Sequence, residues 1–300
     1  MTLAVGGASL VASVVSSLLS PKLAMAQGNE EALSTSIEFV EINGARLAYE
    51  RHGRPGRPAL VFVHGYGLRG TGALYAPLIA KLATEFDVYA LDLRGHGASA
   101  SARQNWSQTT IADDVAAFVQ HMGLKGAIYV GHSLGGFTGM LAQIRHPGTF
   151  AGLCLLATVA ASGTTQPPEL KQTLVTKGRD IDLMTGTYAS MFVRPDPATI
   201  RRSAEAVALV SPEVHETFFT DLPNYVITDR LAEIRIPVLL LNGAQDNVIS
   251  VADQQRTARS LPSGTDVTLA QEGHMLPLEA ADITAREIMT FYRQAIQNAG

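Results

Sequence analysis

A single cysteine, Cys154, stands in the 300 residues, so the chain can form no internal disulfide and no cysteine-cluster metal site. Charge is sparse as well: Asp, Glu, Lys and Arg make up 17% of the residues, against about a quarter in a typical soluble chain. With 23 basic against 27 acidic residues there is no basic surplus to bind nucleic acid, and no block of like charge forms a polyanion-binding tail. What the chain does have is apolar substance. Hydrophobic residues make up 46%, and with so little charge this argues against disorder and for a globule with a large core.

Residues 1–26 read unlike the rest. Val11, Val14, Val15, Leu18 and Leu19 lie in an uncharged run of small and apolar residues that Pro21 and Lys22 break. The run is too short, and too rich in Gly and Ser, for a comfortable membrane span. Ala24-Met25-Ala26 then presents the small-x-small pattern of a signal peptidase site. The expectation is a signal peptide cleaved after Ala26 and a periplasmic or secreted product with no stable membrane span. The run has no Lys or Arg before it, which leaves a cytoplasmic chain with an N-terminal extension as the alternative. Residues 27–35 read as a polar linker.

The body opens with strand candidates Ile37–Glu41 and Arg46–Arg51 around Asn43-Gly44, a strong hairpin signal. Unbroken apolar runs follow at Ala59–Val63, Val88–Leu93, Ala127–Val130, Leu153–Leu156 and Pro237–Leu241, with a last strand at Asp266–Ala270. Short runs of this kind suit strands buried on both faces. Helical patterns alternate with them. Ile111, Val115, Phe118 and Met122 share one helical face behind Ser107 as cap, Leu134–Arg145 ends before Pro147, and Asp253–Leu261 and Asp282–Gln297 complete the set. The alternation predicts an α/β fold: a mostly parallel twisted sheet flanked by helices on both faces. Residues 36–161 and 227–300 form its core. Residues 162–226 contain no strand-like run, several Pro and many helix formers, and read as a helical insertion after the sixth strand.

The chemical signal is Gly131-His132-Ser133-Leu134-Gly135, between a strand and a helix candidate. A nucleophile elbow needs that context, because a tight strand–turn–helix bend leaves no room for Cβ atoms at the flanking glycines. A serine needs a base, and chains of this kind place Ser, acid and His in that order. Asp246 follows the strand Pro237–Leu241, and His274 is the only His after it. The assignment is therefore Ser133 as nucleophile, His274 as base and Asp246 as orienting acid. Glu272, two residues before the His, is a weaker rival acid. Oxyanion donors fall to the backbone N–H groups of Leu134 and of Tyr66, in the loop His64-Gly65-Tyr66-Gly67. His64 reads as a structural holder of that loop.

These stretches resemble the α/β-hydrolase superfamily, in its lid-bearing serine hydrolase branch of esterases, lactonases and haloperoxidase-like enzymes. The matching segments are VFVHGYG (Val61–Gly67), DLRGHGAS (Asp92–Ser99), GHSLGG (Gly131–Gly136), LLNGAQD (Leu240–Asp246) and GHMLPLE (Gly273–Glu279), in the family's order. The resemblance makes residues 162–226 a lid, gives Asp92, Arg94 and His96 a structural role, and implies no cofactor and no metal. Serine at the elbow, where dehalogenases and epoxide hydrolases carry Asp, favours acyl transfer to water. The implied reaction is hydrolysis of a small apolar ester or lactone through an acyl-enzyme. C–C bond hydrolysis, cofactor-free perhydrolysis and a binding protein with negligible turnover stay open as alternatives. In the lid, Met184, Met191, Phe192 and Phe218, with Phe219 and Tyr225, are candidates for the acyl pocket. Packing of the lid onto the body is the plainer role for each of them. Arg69, near the expected mouth, is a solvated loop charge or a carboxylate anchor.

Overall fold

The computed structural model describes residues 36–299; the expected signal peptide and linker lie outside them. Eight strands form one sheet: β1 (Glu38–Ile42), β2 (Ala45–His52), β3 (Ala59–Val63), β4 (Asp87–Leu91), β5 (Ala127–His132), β6 (Phe150–Leu156), β7 (Val238–Gly243) and β8 (Gly264–Leu269). Their spatial order is β1-β2-β4-β3-β5-β6-β7-β8. β1 and β2 pair antiparallel, as do β2 and β4, and every later pair is parallel. At the hairpin Asn43 and Gly44 both take positive φ, 49° and 71°, the twist that a two-residue turn between right-twisted strands requires.

The unbroken apolar runs have a simple cause. Val61 and Val63, Tyr129, Leu153 and Leu155, Val238 and Leu240 face one core. Their neighbours Leu60 and Phe62, Ile128 and Val130, Cys154 and Leu156, Leu239 and Leu241 face the other. Side chains alternate across a strand, so a strand covered on both sides must be apolar at every position. Helices α2 (Gln108–His121) and α3 (Leu134–Arg145) cover the first face, with α8 (Val251–Ser260) against β7 and β8. The other face is covered by α1 (Ala76–Leu82) and α10 (Ala281–Phe291), which pack together, with the short α9 (Leu276–Glu279) beside them. Helix α1 escaped the sequence reading. The helix read over Asp282–Gln297 stops at Phe291 and continues as a π turn over Tyr292–Ile296.

Between β6 and β7 lie four helices: α4 (Pro168–Lys177), α5 (Ile181–Ala189), α6 (Pro197–Val207) and α7 (Pro212–Asp221). Their starts follow from local chemistry. Asp180, Asp196 and Ser211 each accept a backbone N–H of the first turn, from Leu183, Thr199 and Val214. Pro197 and Pro212 follow two of these caps at the position where a missing N–H costs nothing. No helix among the described residues is long and apolar enough to cross a membrane.

Candidate active site

Ser133 sits between β5 and α3 with φ 52° and ψ −114°. A non-glycine residue in this region carries roughly 1 to 3 kcal/mol of strain, which the surrounding backbone must hold in place. A Cβ on Gly131 would lie 2.5 Å from the carbonyl carbon of Gly135, and one on Gly135 would lie 2.5 Å from the carbonyl oxygen of Val63. The two glycines of the motif are thus required by close backbone approach.

Two further strand ends converge on this serine. The Oγ of Ser133 stands 3.1 Å from Nε2 of His274, and Nδ1 of His274 stands 3.0 Å from Oδ2 of Asp246. Asp246 leaves the end of β7. Its Oδ1 accepts the backbone N–H groups of Val248 and Ile249, both at 2.9 Å, and Gln254 Nε2 donates to Oδ2 at 3.2 Å. Burial alone would raise this carboxyl. His274 and the two backbone N–H groups outweigh burial and hold it below the ordinary value. With Nδ1–H committed to a carboxylate, His274 presents its Nε2 lone pair to the serine hydroxyl. The rival acid Glu272 points elsewhere, onto the Arg194 guanidinium.

The loop after β3 lies over the serine. A Cβ on Gly65 would meet the His132 ring at 2.9 Å and Ser133 Cβ at 3.3 Å. Among the described residues, no protein acceptor takes the backbone N–H of Tyr66 or of Leu134. The neighbouring histidines are tied into the scaffold. His64 donates Nδ1–H to Gly65 O at 2.7 Å and accepts Leu93 N–H at Nε2 at 3.0 Å. His132 accepts the Tyr75 hydroxyl at Nδ1 at 2.7 Å and donates Nε2–H to the carbonyl of His274 at 3.0 Å. In the loop after β4, Asp92 gathers the N–H groups of Gly70, Thr71 and Ala98, and Arg94 makes a two-pronged pair with Asp114. Asp92, Arg94 and His96 shape that loop and touch none of Ser133, Asp246 and His274.

One contact set had no signal in the sequence. The Tyr66 ring lies flat on Phe218, centroids 3.6 Å apart and planes 9° apart. Its hydroxyl donates to Nδ1 of His215 at 2.5 Å, and its carbonyl accepts the Tyr188 hydroxyl at 3.4 Å. Burial pushes the Tyr66 phenol up, and burial followed by His96 pushes His215 down to about 4. A neutral phenol therefore donates to a neutral imidazole. α7 and α5 hold Tyr66 from above.

These elements enclose a cavity of about 680 Å³ of empty space, its mouth included, with Ser133 and His274 in its wall. Of the sequence candidates for an acyl pocket, Met191, Phe218 and Phe219 line it. Met184 and Phe192 do not. Both are buried in the second core, with Ile200, Ala204 and Val207 of α6. Helix α5 packs against α6, and Met184 is buried while Tyr188 of the same helix lines the cavity. Tyr225 stacks on Phe137 at 5.4 Å and stays off the wall. Arg69 stays off it too, with its guanidinium against Gly72. The fold adds Leu170 and Leu174 of α4, Leu222, Val248 and Ile249. The last two immediately follow the acid, a position that marks them as neighbours of the site once Asp246 is placed. Among the described residues no cluster of three His, Cys, Asp or Glu is arranged to hold a metal ion.

The sequence pattern of the serine aminopeptidase family, S33, matches residues 54–279. The chain belongs to this family of α/β-hydrolases. Among relatives, the 3-oxoadipate enol-lactonase 2 of Acinetobacter baylyi (strain ATCC 33305 / BD413 / ADP1) is 29% identical over 214 residues, 70% of this chain and 79% of the lactonase. The bifunctional esterase/perhydrolase DCH of Acinetobacter calcoaceticus is 25% identical over 271 residues, 84% of this chain and 97% of that one. Among solved structures, an N-acyl homoserine lactone degrading enzyme superposes with a TM-score of 0.73 at 26% identity, covering 85% of this hydrolase and 100% of its own chain. The sheet order and flanking helices described above are those of the α/β-hydrolase fold.

Proposed function

We propose that this hydrolase cleaves small apolar esters or lactones through an acyl-enzyme on Ser133. The observation that carries the reading is the hydrogen-bonded run Ser133–His274–Asp246 opening onto an apolar cavity. His274 takes the Ser133 proton as Oγ attacks the carbonyl carbon, and the carbonyl electron pair moves onto oxygen. The N–H groups of Tyr66 and Leu134 receive that oxyanion. Collapse of the intermediate breaks the bond to the leaving alcohol, which takes its proton from His274. Water then attacks the acyl-enzyme and gives a proton to His274. As the second tetrahedral intermediate collapses, the acid leaves and His274 returns that proton to Ser133 Oγ. Asp246 fixes the tautomer and stabilises the imidazolium. Residues 162–226 act as the lid, since α4, α5 and α7 supply much of the cavity wall. The relatives named for lactonase and esterase activity support the bond type.

The test is labelling of the purified protein with a fluorophosphonate, together with turnover of a p-nitrophenyl ester and lactone panel. Labelling maps to Ser133, and Ser133→Ala lowers kcat by about 10⁴-fold or more while its thermal unfolding stays that of the parent. Near-parental turnover in Ser133→Ala refutes the reading.

A further inference from the structure

We infer that the cavity is a charge filter: it accepts uncharged acyl groups and turns away those that carry a carboxylate or an ammonium. The inference rests on the serine esterase reading and narrows its substrate class. Among the described residues lining the cavity there is no Asp, Glu, Lys or Arg. Its wall is made of Leu, Val, Ile, Met and aromatic side chains around the Ser133–His274 pair.

The histidine beside the serine brings no charge either. His132 accepts at one nitrogen and donates to a carbonyl from the other, so both are committed as a neutral ring. Asp246 is the carboxylate behind the site, and its side chain is wholly buried. Both its oxygens are taken, by His274, Gln254 and two backbone N–H groups. Several charged groups on the surrounding segments already have partners. Arg194 binds Glu272 and the carbonyl of Gln271, Glu279 takes the N–H groups of Val193 and Arg194, and Lys171 pairs with Glu216. What the wall still offers is neutral. Tyr66, Tyr188 and Thr187 spend their hydroxyls within the protein. Thr164 and Gln166 line the cavity without a side-chain partner among the described residues. They are the groups left to meet a neutral polar atom of the substrate.

Charge separates this cavity from the substrates that the names of its family and of the lactonase relative imply. An aminopeptidase must receive a protonated α-amine, and a lactone derived from 3-oxoadipate carries a free carboxylate. A charged group taken from water into a wall with no partner is disfavoured strongly. The loss falls on kcat/KM, because the acyl group stays in the cavity through the transition state.

Two pairs of esters of similar size test this. One is p-nitrophenyl pentanoate against mono-p-nitrophenyl succinate; the other is the p-nitrophenyl ester of N-acetylleucine against that of leucine with its free ammonium. The neutral member of each pair wins by about a hundredfold in kcat/KM, equivalent to about 2.7 kcal/mol. A ratio below ten in either pair overturns the filter and leaves the serine esterase reading standing. No turnover of any ester together with no fluorophosphonate labelling of Ser133 overturns both. Gln166→Arg places a cation on the wall at a half-buried loop position. With Ser133 labelling as proof of a folded site, it narrows the pentanoate-to-succinate ratio at least tenfold. An unchanged ratio in this variant overturns the filter as well.

Discussion

Mild acid weakens this protein through its buried histidines. Four imidazoles, His64, His96, His132 and His215, are buried polar groups with at most 1% exposure. Burial pushes each of them down, His64 and His215 to about 4, and His96 and His132 to about 3. The geometry gives the same answer. His64 Nε2 faces the Leu93 N–H, His132 Nδ1 faces the Tyr75 hydroxyl, and His215 Nδ1 faces the Tyr66 hydroxyl. The remaining nitrogen of His96, Nε2, is buried with no partner to take a proton. In the unfolded chain each group titrates near 6.5. Below that value the unfolded state binds more protons than the folded one, so stability is complete above about 6.5 and falls as pH drops toward 4. Going from about pH 7.5 to about pH 5.5 costs a little over 1 kcal/mol per histidine, about 5 kcal/mol for the four. That sum depends little on how far below 5.5 the folded values lie. Asp92 and Asp114, raised by burial, act in the opposite sense and reduce this loss without a change of sign. The measurement is urea unfolding at the two pH values. It is followed by the fluorescence of Trp106, the single tryptophan, which is 6% exposed. Equal stability within about 1 kcal/mol at both pH values refutes the reasoning.

Tyr66→Phe leaves His215 with two unpartnered nitrogens, and His215→Leu strands the Tyr66 hydroxyl. Each single change costs about 1 to 3 kcal/mol, and the double variant costs about 1 to 2 kcal/mol less than their sum. A urea double-mutant cycle that is strictly additive denies the coupling. Asp114→Ala strands Arg94, 3% exposed, without its carboxylate. It costs about 3 to 5 kcal/mol and lowers the Tm by roughly 2 to 4 °C per kcal/mol, as thermal unfolding will show.

The parts of the fold that were legible are those where one physical demand repeats. Val61, Val63 and their partners Leu60 and Phe62 are apolar because both faces of the strand are covered, so the run announces itself without any alignment. Asn43-Gly44 announces its turn because few residues tolerate two positive φ angles in succession. Helix α1 was missed because it is only seven residues long. Its buried Leu78, Ile79 and Leu82 complete scarcely one period of a helical pattern. In the segment between β6 and β7 the caps Asp196 and Ser211, each followed by Pro, carried boundary signals that reading for apolar stripes passed over.

The same distinction runs through the site. Ser133, Asp246 and His274 come from three strand ends, yet each occupies a position whose backbone context is local: a strand ends, a loop turns, and one residue type suits the chemistry. Local context is what a sequence displays. The wall of the cavity is a different kind of fact. Met184 and Met191 look alike in the sequence, and which of them faces the cavity depends on where α6 packs. Tyr66 and His215 stand 149 positions apart, and nothing in either neighbourhood refers to the other. Their contact means that the loop beside Ser133 is held by the segment that walls the cavity. Under the proposed mechanism, changes on α7 that alter which acyl groups fit also disturb the Tyr66 backbone beside Ser133. Selectivity and rate would then be coupled through one tyrosine, whose contact becomes visible only once the chain is folded.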